Sequence, residues 1–318
     1  MQEKRLYRIA DETGTRLAQV SGRFQYEAQT ASDFPAVGDY VMTELFGNMA
    51  VIHALLPRKS VFLRKAAGSA KTEQVVAANV DTVFLCMALN NDFNLRRLER
   101  YLTVAWDSGA APVVLLTKRD LCDDLPAKLA QVESVAAGVE IVAVSALEED
   151  DCRAIEPWLI AGKTLAFVGS SGVGKSTLIN RLLGEDRLKT NGLRNDDRGR
   201  HTTTHRALIV LPSGAMVIDT PGMRELGMWD AGEGLSSAFA DIEALAARCR
   251  FKDCTHRTEP GCAVRLAVER GQLSQARLLS YEKLKTENVY TKDAESYLAA
   301  KEEKFKKIAK LNKKNQKR

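Results

Sequence analysis

The stretch Gly169-Ser-Ser-Gly-Val-Gly-Lys175-Ser176 constrains this chain more than any other. An apolar run, Leu165–Val168, precedes it, and a segment of helical character, Thr177–Leu183, follows. A glycine-rich turn between strand and helix lets backbone N–H groups curl around phosphates at the helix N-terminus. In that arrangement Lys175 reaches the outer phosphates and the Ser176 hydroxyl ligates Mg²⁺. Gly169, Ser170, Ser171, Gly172, Val173, Gly174, Lys175, Ser176 and Thr177 are therefore the expected phosphate-binding residues. The bland alternative, a chance glycine-rich turn, does not account for the strand before it and the helix after it.

Such a loop belongs in a parallel sheet, and the flanking sequence supplies one. Val83–Leu89, Pro112–Leu116 and Val139–Val144 are continuous apolar runs, as strands buried on both faces require. Helical stretches over Leu95–Trp106, Leu125–Ala136 and Asp151–Ile160 separate these runs, and Ala207–Leu211 with Ala215–Ile218 read as a hairpin. The expected fold is a doubly wound α/β sheet.

The strand ends carry the rest of the chemistry. Thr117-Lys-Arg-Asp120 follows one strand and Ser145-Ala146 the next. A carboxylate at Asp120 would accept from guanine N1–H and N2–H₂, a donor pair that adenine lacks. Lys118 would pack on the ring, and a backbone N–H of Ser145 or Ala146 would meet guanine O6. Thr117, Lys118, Arg119, Asp120, Ser145 and Ala146 are the expected base-side residues. Each motif alone could be a mere strand end; together they point to GTP or GDP. Asp219-Thr-Pro-Gly222 ends a further strand, with Asp219 expected near Mg²⁺ and the Gly222 N–H near a γ-phosphate. Of Thr202, Thr203 and Thr204, Thr203 is the expected third Mg²⁺ contact beside Ser176 and Asp219. The guanine motifs precede the P-loop instead of following it, so the order is circularly permuted. Strand-end loops converge on one pocket whatever their chain order.

Where many GTPases carry a water-orienting glutamine after the Asp-x-x-Gly glycine, this chain has Met223, a thioether that cannot orient water. His201, directly before the threonine run, is the expected substitute, with Lys175 and Thr203 completing the catalytic set; His205 is a weaker contender. An imidazole can orient water or move a proton near neutral pH. The alternative is a histidine of an exposed loop.

Cys249-x₄-Cys254-x-His256-x₅-Cys262 gathers three thiols and one of only four histidines into fourteen residues. Four such ligands make a closed tetrahedral Zn²⁺ site with no open position, hence a structural metal. Cysteine as a small buried hydrophobe is the alternative. Cys86, Cys122 and Cys152 are isolated, as a reducing cytosol allows. His53 sits in an apolar strand and reads as a packing residue.

These features divide the chain into an OB-like β-barrel over 1–66, a linker over 67–79, a permuted GTPase domain over 80–232, a helical zinc-binding domain over 233–290 and a basic helix or tail over 291–318. The barrel is expected from short strands with turn residues between them: Leu6–Ala10 and Arg16–Val20 around Asp-Glu-Thr-Gly, then Val37–Met42 and Ala50–Leu55. Arg58, Lys59, Arg64, Lys65 and Lys71 lie in an acid-free stretch, either a solvated edge or a contact for an RNA backbone. The net charge of +5 is uneven: residues 301–318 carry +7, leaving −2 on the other 300. No apolar run reaches the ~18 residues of a membrane span. Residues 1–20 mix charged and apolar residues and do not read as a signal peptide.

Pro35-Ala-Val-Gly-Asp, Pro57-Arg-Lys, Val80-Asp-Thr-Val, the P-loop, His201-Thr-Thr-Thr, Asp219-Thr-Pro-Gly and the Cys/His cluster together resemble the ribosome small-subunit-dependent GTPases (RsgA, also called YjeQ). That resemblance implies a cytoplasmic, Mg²⁺-dependent GTP hydrolase acting late in 30S subunit maturation. It also implies 16S rRNA binding and stimulation by the subunit. A monomer away from membranes is the expected state. Thr117 departs from the more usual asparagine, and Gly172 lacks the asparagine side chain that some related GTPases place on K⁺. The competing readings are an RNA-binding assembly module with a vestigial nucleotide site and a P-loop kinase or ATPase; intact Lys175, Ser176 and Asp219 oppose the first, and Asp120 with the threonine run opposes the second.

Overall fold

The computed structural model describes residues 6–65, 73–188, 207–219 and 232–292. His201, Thr202, Thr203, Thr204, His205, Gly222, Met223, Lys71, residues 66–72 of the expected linker and the lysine-rich segment 293–318 lie outside the described residues. The chain divides into two compact units, residues 1–94 with 108–226 and residues 95–107 with 227–318.

The first unit begins with β1 (Leu6–Asp11) and β2 (Gly14–Val20), paired so that Asp11 faces Gly14. The two-residue loop between them is the tight hairpin that Asp-Glu-Thr-Gly predicts, and Asp11 accepts from the Thr13 N–H at 2.8 Å to brace it. Ser21 caps α1 (Gly22–Glu27) by accepting from the Phe24 N–H. After it come β3 (Val41–Phe46), β4 (Met49–Leu55), β5 (Val61–Lys65) and β6 (Glu73–Ala78). The hydrogen-bonded order is β1-β2-β4-β3, with β2 and β4 parallel, and β5-β6 forms a separate ribbon. Among the described residues the ladder therefore runs as two sheets rather than as one closed barrel. Residues 73–78, expected as linker, are strand, with Val75, Val76, Ala77 and Ala78 all buried.

Residues 37–40, expected as strand, form a turn instead. Gly38 has φ +93°, and a Cβ there would stand 2.1 Å from the Ala78 carbonyl oxygen. Its neighbour Asp39 is almost fully buried and receives Arg58 through Nε and Nη2, both at 2.8 Å. Arg58 also donates to the Ser32 and Phe34 carbonyls. This guanidinium is a clamp inside the unit, not a group held out for a phosphate. Arg64 is likewise engaged, donating to the Gln74 side chain. His53, expected in the core, faces outward beside Glu44 at 3.3 Å, because β4 alternates and its inward positions are Ala50 and Ile52.

The larger sheet of this unit has strands β7 (Thr82–Ala88), β8 (Ala111–Thr117), β9 (Glu140–Ala143), β10 (Thr164–Val168), β11 (Ala207–Val210) and β12 (Met216–Asp219). Its order is β11-β12-β10-β7-β8-β9, parallel except for the β11–β12 hairpin at one edge. The apolar runs of β7, β8 and β10 are buried on both faces, as the sequence implies, whereas β9, at the sheet edge, is only half-buried. Phe84 stacks on Phe167 with centroids 5.0 Å apart and meets the Trp158 ring edge-on. Such pairs add ~0.5–1.5 kcal/mol each beyond the area they bury. Between β7 and β8 the chain forms α2 (Leu95–Ser108); α3 (Leu125–Glu133) follows β8, capped by Asp124. The helix expected over 151–160 is only one α-turn, α4 (Glu149–Cys152), continued by a 3₁₀ stretch over 153–158. Pro157 lacks the N–H that an α-helix would need there. α5 (Lys175–Leu183) follows β10 through the glycine-rich loop.

The second unit joins α2 to α6 (Gly232–Ala238), α7 (Ala240–Ala246), α8 (Ala263–Glu269) and α9 (Gln275–Lys292). The segment expected as GTPase domain thus contributes α2 to the unit that contains the cysteine cluster. The reason is a buried ion network. Glu99 is fully buried on α2 and accepts from Arg277 Nη1 on α9 at 3.0 Å and from Arg96. Arg277 also grips Asp241 with two hydrogen bonds of 2.8 and 2.7 Å and lies over the Phe239 ring. Gly234 permits the close approach: a Cβ there would meet the Thr103 carbonyl oxygen at 2.1 Å. Arg100 and Glu287 add a bidentate pair nearer the surface.

Candidate functional site

The ends of parallel strands β8 and β10, with the segment after β9, carry the residues singled out by the sequence, brought together by the sheet order rather than by chain order. After β10 the backbone turns through Gly169 to Gly174. A Cβ on Gly169 would stand 2.5 Å from the Cys86 carbonyl oxygen of β7, so only glycine lets the loop leave the sheet there. Gly174 has φ +100° and opens α5. Lys175 is buried, its ammonium donating to the Gly169 and Ser170 carbonyls, both at 2.6 Å. The cation is thereby folded back over the glycine-rich loop. Ser170 donates its hydroxyl to Asp92 at 3.0 Å, while Ser171 and Gly172 are exposed. Val173 is buried in the core and anchors the loop. Ser176 and Thr177 stand half-buried in the first turn of α5. Asp219 is the last residue of β12, the strand that neighbours β10.

The base-side residues form a bonded set. Thr117, buried at the end of β8, donates its hydroxyl to the Val173 carbonyl at 2.5 Å and so ties the base motif to the phosphate loop. Threonine in place of the usual asparagine keeps that bond and forgoes others, since a hydroxyl has one proton to give. Lys118 adopts a left-handed conformation with φ +57°, which reverses the chain at the strand end. Asp120 accepts from Ser145 Oγ at 2.6 Å, so its carboxylate already has a fixed orientation. Ser145 is fully buried, and its N–H donates to Asp151 Oδ2 at 2.9 Å. The neighbouring Ala146 N–H, by contrast, has no acceptor among the described residues. Arg119 turns its guanidinium to acids: its Nη2 lies 2.9 Å from both Glu148 and Asp151, in a run of four acids over 148–151 that draws in the nearest cation. Asp151 and Glu148 were not legible as site residues; their only signal is the acidic run after Ser145-Ala146.

In the second unit, the ligand atoms of Cys249, Cys254, His256 and Cys262 all lie within 4.8 Å of one another. The resolved spacings are 3.9 Å for Cys249 Sγ to Cys262 Sγ, and 3.7 and 3.5 Å from those sulfurs to His256 Nδ1. A tetrahedral Zn²⁺ with bonds of about 2.3 Å to sulfur and 2.0 Å to nitrogen places its ligands roughly 3.5–3.8 Å apart, so this set fits the ion. Cys262 caps α8, its sulfur accepting from the Arg265 N–H. Burial opposes ionisation of Cys249, yet the amides of Ala263 and Val264 hold its thiol below the ordinary value. Burial, aided by Lys285, lowers the His256 pKa, so the imidazole is neutral and its lone pair is available at pH 7. The intervening loop is organised by Glu259, which accepts from the Thr255, Arg257 and Thr258 amides and the Thr255 hydroxyl, bonds that hold its carboxyl well below the usual range. No sequence signal marks Glu259.

The RsgA GTPase family model matches residues 55–229. A protein of Lactiplantibacillus plantarum named small ribosomal subunit biogenesis GTPase RsgA 2 is 54% identical over 291 residues, covering 91% of this chain and 82% of that protein. Among solved structures, YjeQ from Thermotoga maritima superposes with a TM-score of 0.66 at 28% identity, covering 89% of this chain and 94% of that one. YloQ, described as a circularly permuted GTPase, gives 0.62 at 25% identity over 91% and 92% of the two chains.

Proposed function

Because this chain belongs to the RsgA GTPase family, we propose that it is a GTP-driven switch in biogenesis of the small ribosomal subunit. It binds GTP and GDP at the loops described above and hydrolyses GTP to GDP and phosphate in the cytoplasm. The single observation that carries the reading is the join between its two halves: Thr117 of the base motif bonded to Val173 of the phosphate loop. One nucleotide can span both motifs only if they share a pocket, and this bond fixes their spacing.

Lys175 and the loop amides hold the phosphates, Asp120 and Ala146 read the base, and Ser176, Thr203 and Asp219 are the residues for Mg²⁺. That ion, when bound, neutralises charge between the outer phosphates. Zn²⁺ on Cys249, Cys254, His256 and Cys262 is structural, since all four tetrahedral positions are taken by protein. The partner is the 30S subunit in its late maturation, reached through 16S rRNA, with the protein acting as a monomer. Residues 1–66 and the basic surface of the zinc-binding part supply the RNA contacts. The engaged state of Arg58 and Arg64 shifts that role toward other cations.

The direct test is GTP hydrolysis with and without purified 30S subunits; turnover that is equal in both arms would remove the subunit from the proposal. His201 is assigned to orienting the attacking water, in place of the side chain that Met223 does not offer. With subunits present, His201→Ala is expected to keep GTP and subunit affinity while stimulation falls ~10²-fold or more, the usual range for losing a general base. Full stimulated turnover in that variant would leave rRNA or a backbone group to do the work.

A further inference from the structure

Guanine discrimination needs two things held at a fixed separation: acceptors for N1–H and N2–H₂, and a donor for O6. In this chain both hang on Ser145. Its hydroxyl orients Asp120, and its peptide bond with Ala146 carries the donor. The loop from 145 to 148 satisfies its other amides internally. Leu147 N–H donates to Ser145 Oγ at 3.3 Å and Glu148 N–H to the Ser145 carbonyl at 3.2 Å. In a trans peptide the N–H points opposite its own carbonyl. With the Ser145 carbonyl turned toward Glu148, the Ala146 N–H is directed the other way.

The preceding peptide plane, Val144–Ser145, is fixed from outside every motif. Asp151, at the end of the acidic run in α4, takes the Ser145 N–H on Oδ2 at 2.9 Å. Its other oxygen lies 2.9 Å from Arg119, a residue of the base motif itself. Arg181 of α5 donates Nε to the Ala146 carbonyl at 3.2 Å, so the phosphate-loop helix holds the same residue from the far side. Asp151 is largely buried, with 12% of its side chain exposed, and a charge-assisted bond to a buried amide is among the stronger neutralising contacts a carboxylate makes.

We propose that Asp151, braced by Arg119, is the positioning residue for recognition of guanine O6: it fixes the Ser145 amide so that the Ala146 N–H alone remains to donate to the base. The assignment rests on the guanine-nucleotide reading above and adds to it the residue on which O6 selection depends. Asp151 does not touch the base; it acts through Ser145 and Ala146.

The test uses the full chain and equilibrium binding of GDP, ADP, IDP and 6-thio-GDP. IDP lacks the 2-amino group read by Asp120, whereas 6-thio-GDP replaces O6 by a sulfur that accepts poorly. The wild type is expected to prefer GDP over 6-thio-GDP about fivefold or more, the worth of one net hydrogen bond. Asp151→Ala is expected to bring that ratio to within about twofold, again the loss of one hydrogen bond, while the GDP-to-IDP ratio stays at its wild-type value. A general loosening of the pocket would shrink both ratios together, and that result would overturn the proposal, as would an unchanged GDP-to-6-thio-GDP ratio. Asp151→Asn keeps a carbonyl oxygen facing the Ser145 N–H and is expected to preserve discrimination; equal loss in the Asn and Ala variants would overturn the hydrogen bond as the cause. Wild-type protein that prefers GDP to ADP but not to 6-thio-GDP would refute the Asp151 assignment alone. Failure to prefer GDP to ADP would refute the guanine reading itself.

Discussion

The nucleotide loops and the cysteine cluster are built on opposite plans. At the strand ends every group that positions another is itself bonded to protein: Lys175 to two carbonyls, Thr117 to Val173, Ser145 to Asp120 and Asp151. The site is preformed, and a ligand entering it finds donors and acceptors already oriented. In the zinc cluster the four ligand atoms converge on a common centre, and bonds among themselves cannot replace the ion. Three thiolates left together without a cation would repel one another. On the function proposed above, the first site needs its ligand for function and the second needs its ion for structure.

The sharpest way to break that contrast is to remove the metal. Chelation, or Cys254→Ser, is expected to withdraw a binding free energy on the order of 10 kcal/mol, the scale of structural zinc sites, and to unfold the α7–α8 region. Metal analysis with circular dichroism reads the loss, while GDP affinity of the first unit should change little. Stoichiometric zinc absent from fully folded protein would erase the difference between the two sites.

Next in size is the ion network that binds α2 to α9. Arg277→Ala leaves Glu99 buried and charged, and breaking such a pair costs ~3–5 kcal/mol. Urea unfolding followed on the second unit should register it, and Arg277→Lys should recover only part, since one ammonium cannot span Glu99 and Asp241 with a planar fork.

At the preformed site the expected effects are smaller and confined to ligand binding. Asp120→Asn should weaken GDP by roughly 2 kcal/mol and move preference toward xanthosine nucleotides, whose C2 carbonyl suits a donor. Unchanged GDP affinity there would take Asp120 out of the pocket. Smallest is Thr117→Val, which removes the tie between base motif and phosphate loop without changing shape. A loss of about 1 kcal/mol in nucleotide affinity, with the same global stability, would mark the bond as a spacer between motifs.

Much of the nucleotide site was legible because its chemistry is local. A glycine-rich turn between strand and helix, a lysine at the start of that helix, and an aspartate after a buried strand are each read from neighbours within a few residues. The cysteine and histidine spacing was legible for the same reason. The supports were not. Glu259, Asp151 and Arg119 are charged residues of ordinary type in ordinary loops, and their roles depend on which amide or cation the fold brings opposite them. Arg58 misled in the opposite sense: a basic, acid-free stretch suggested RNA, whereas the fold sets this guanidinium on Asp39, nineteen residues earlier in the chain.

By itself, then, the sequence determined the parallel sheet, the permuted order of the loops and the candidate groups for nucleotide and metal. These follow from apolar runs too long to expose and from motifs whose spacing matches one ligand. Only the tertiary structure decided that α2 groups with the C-terminal helices, that the described N-terminal strands hydrogen-bond as two sheets, and that the Ser145 N–H is taken by Asp151. Those outcomes turn on long-range pairings, Glu99 with Arg277 across 178 residues and Thr117 with Val173 across 56. A residue's own neighbours in sequence carry no record of a partner that only folding brings within hydrogen-bond reach.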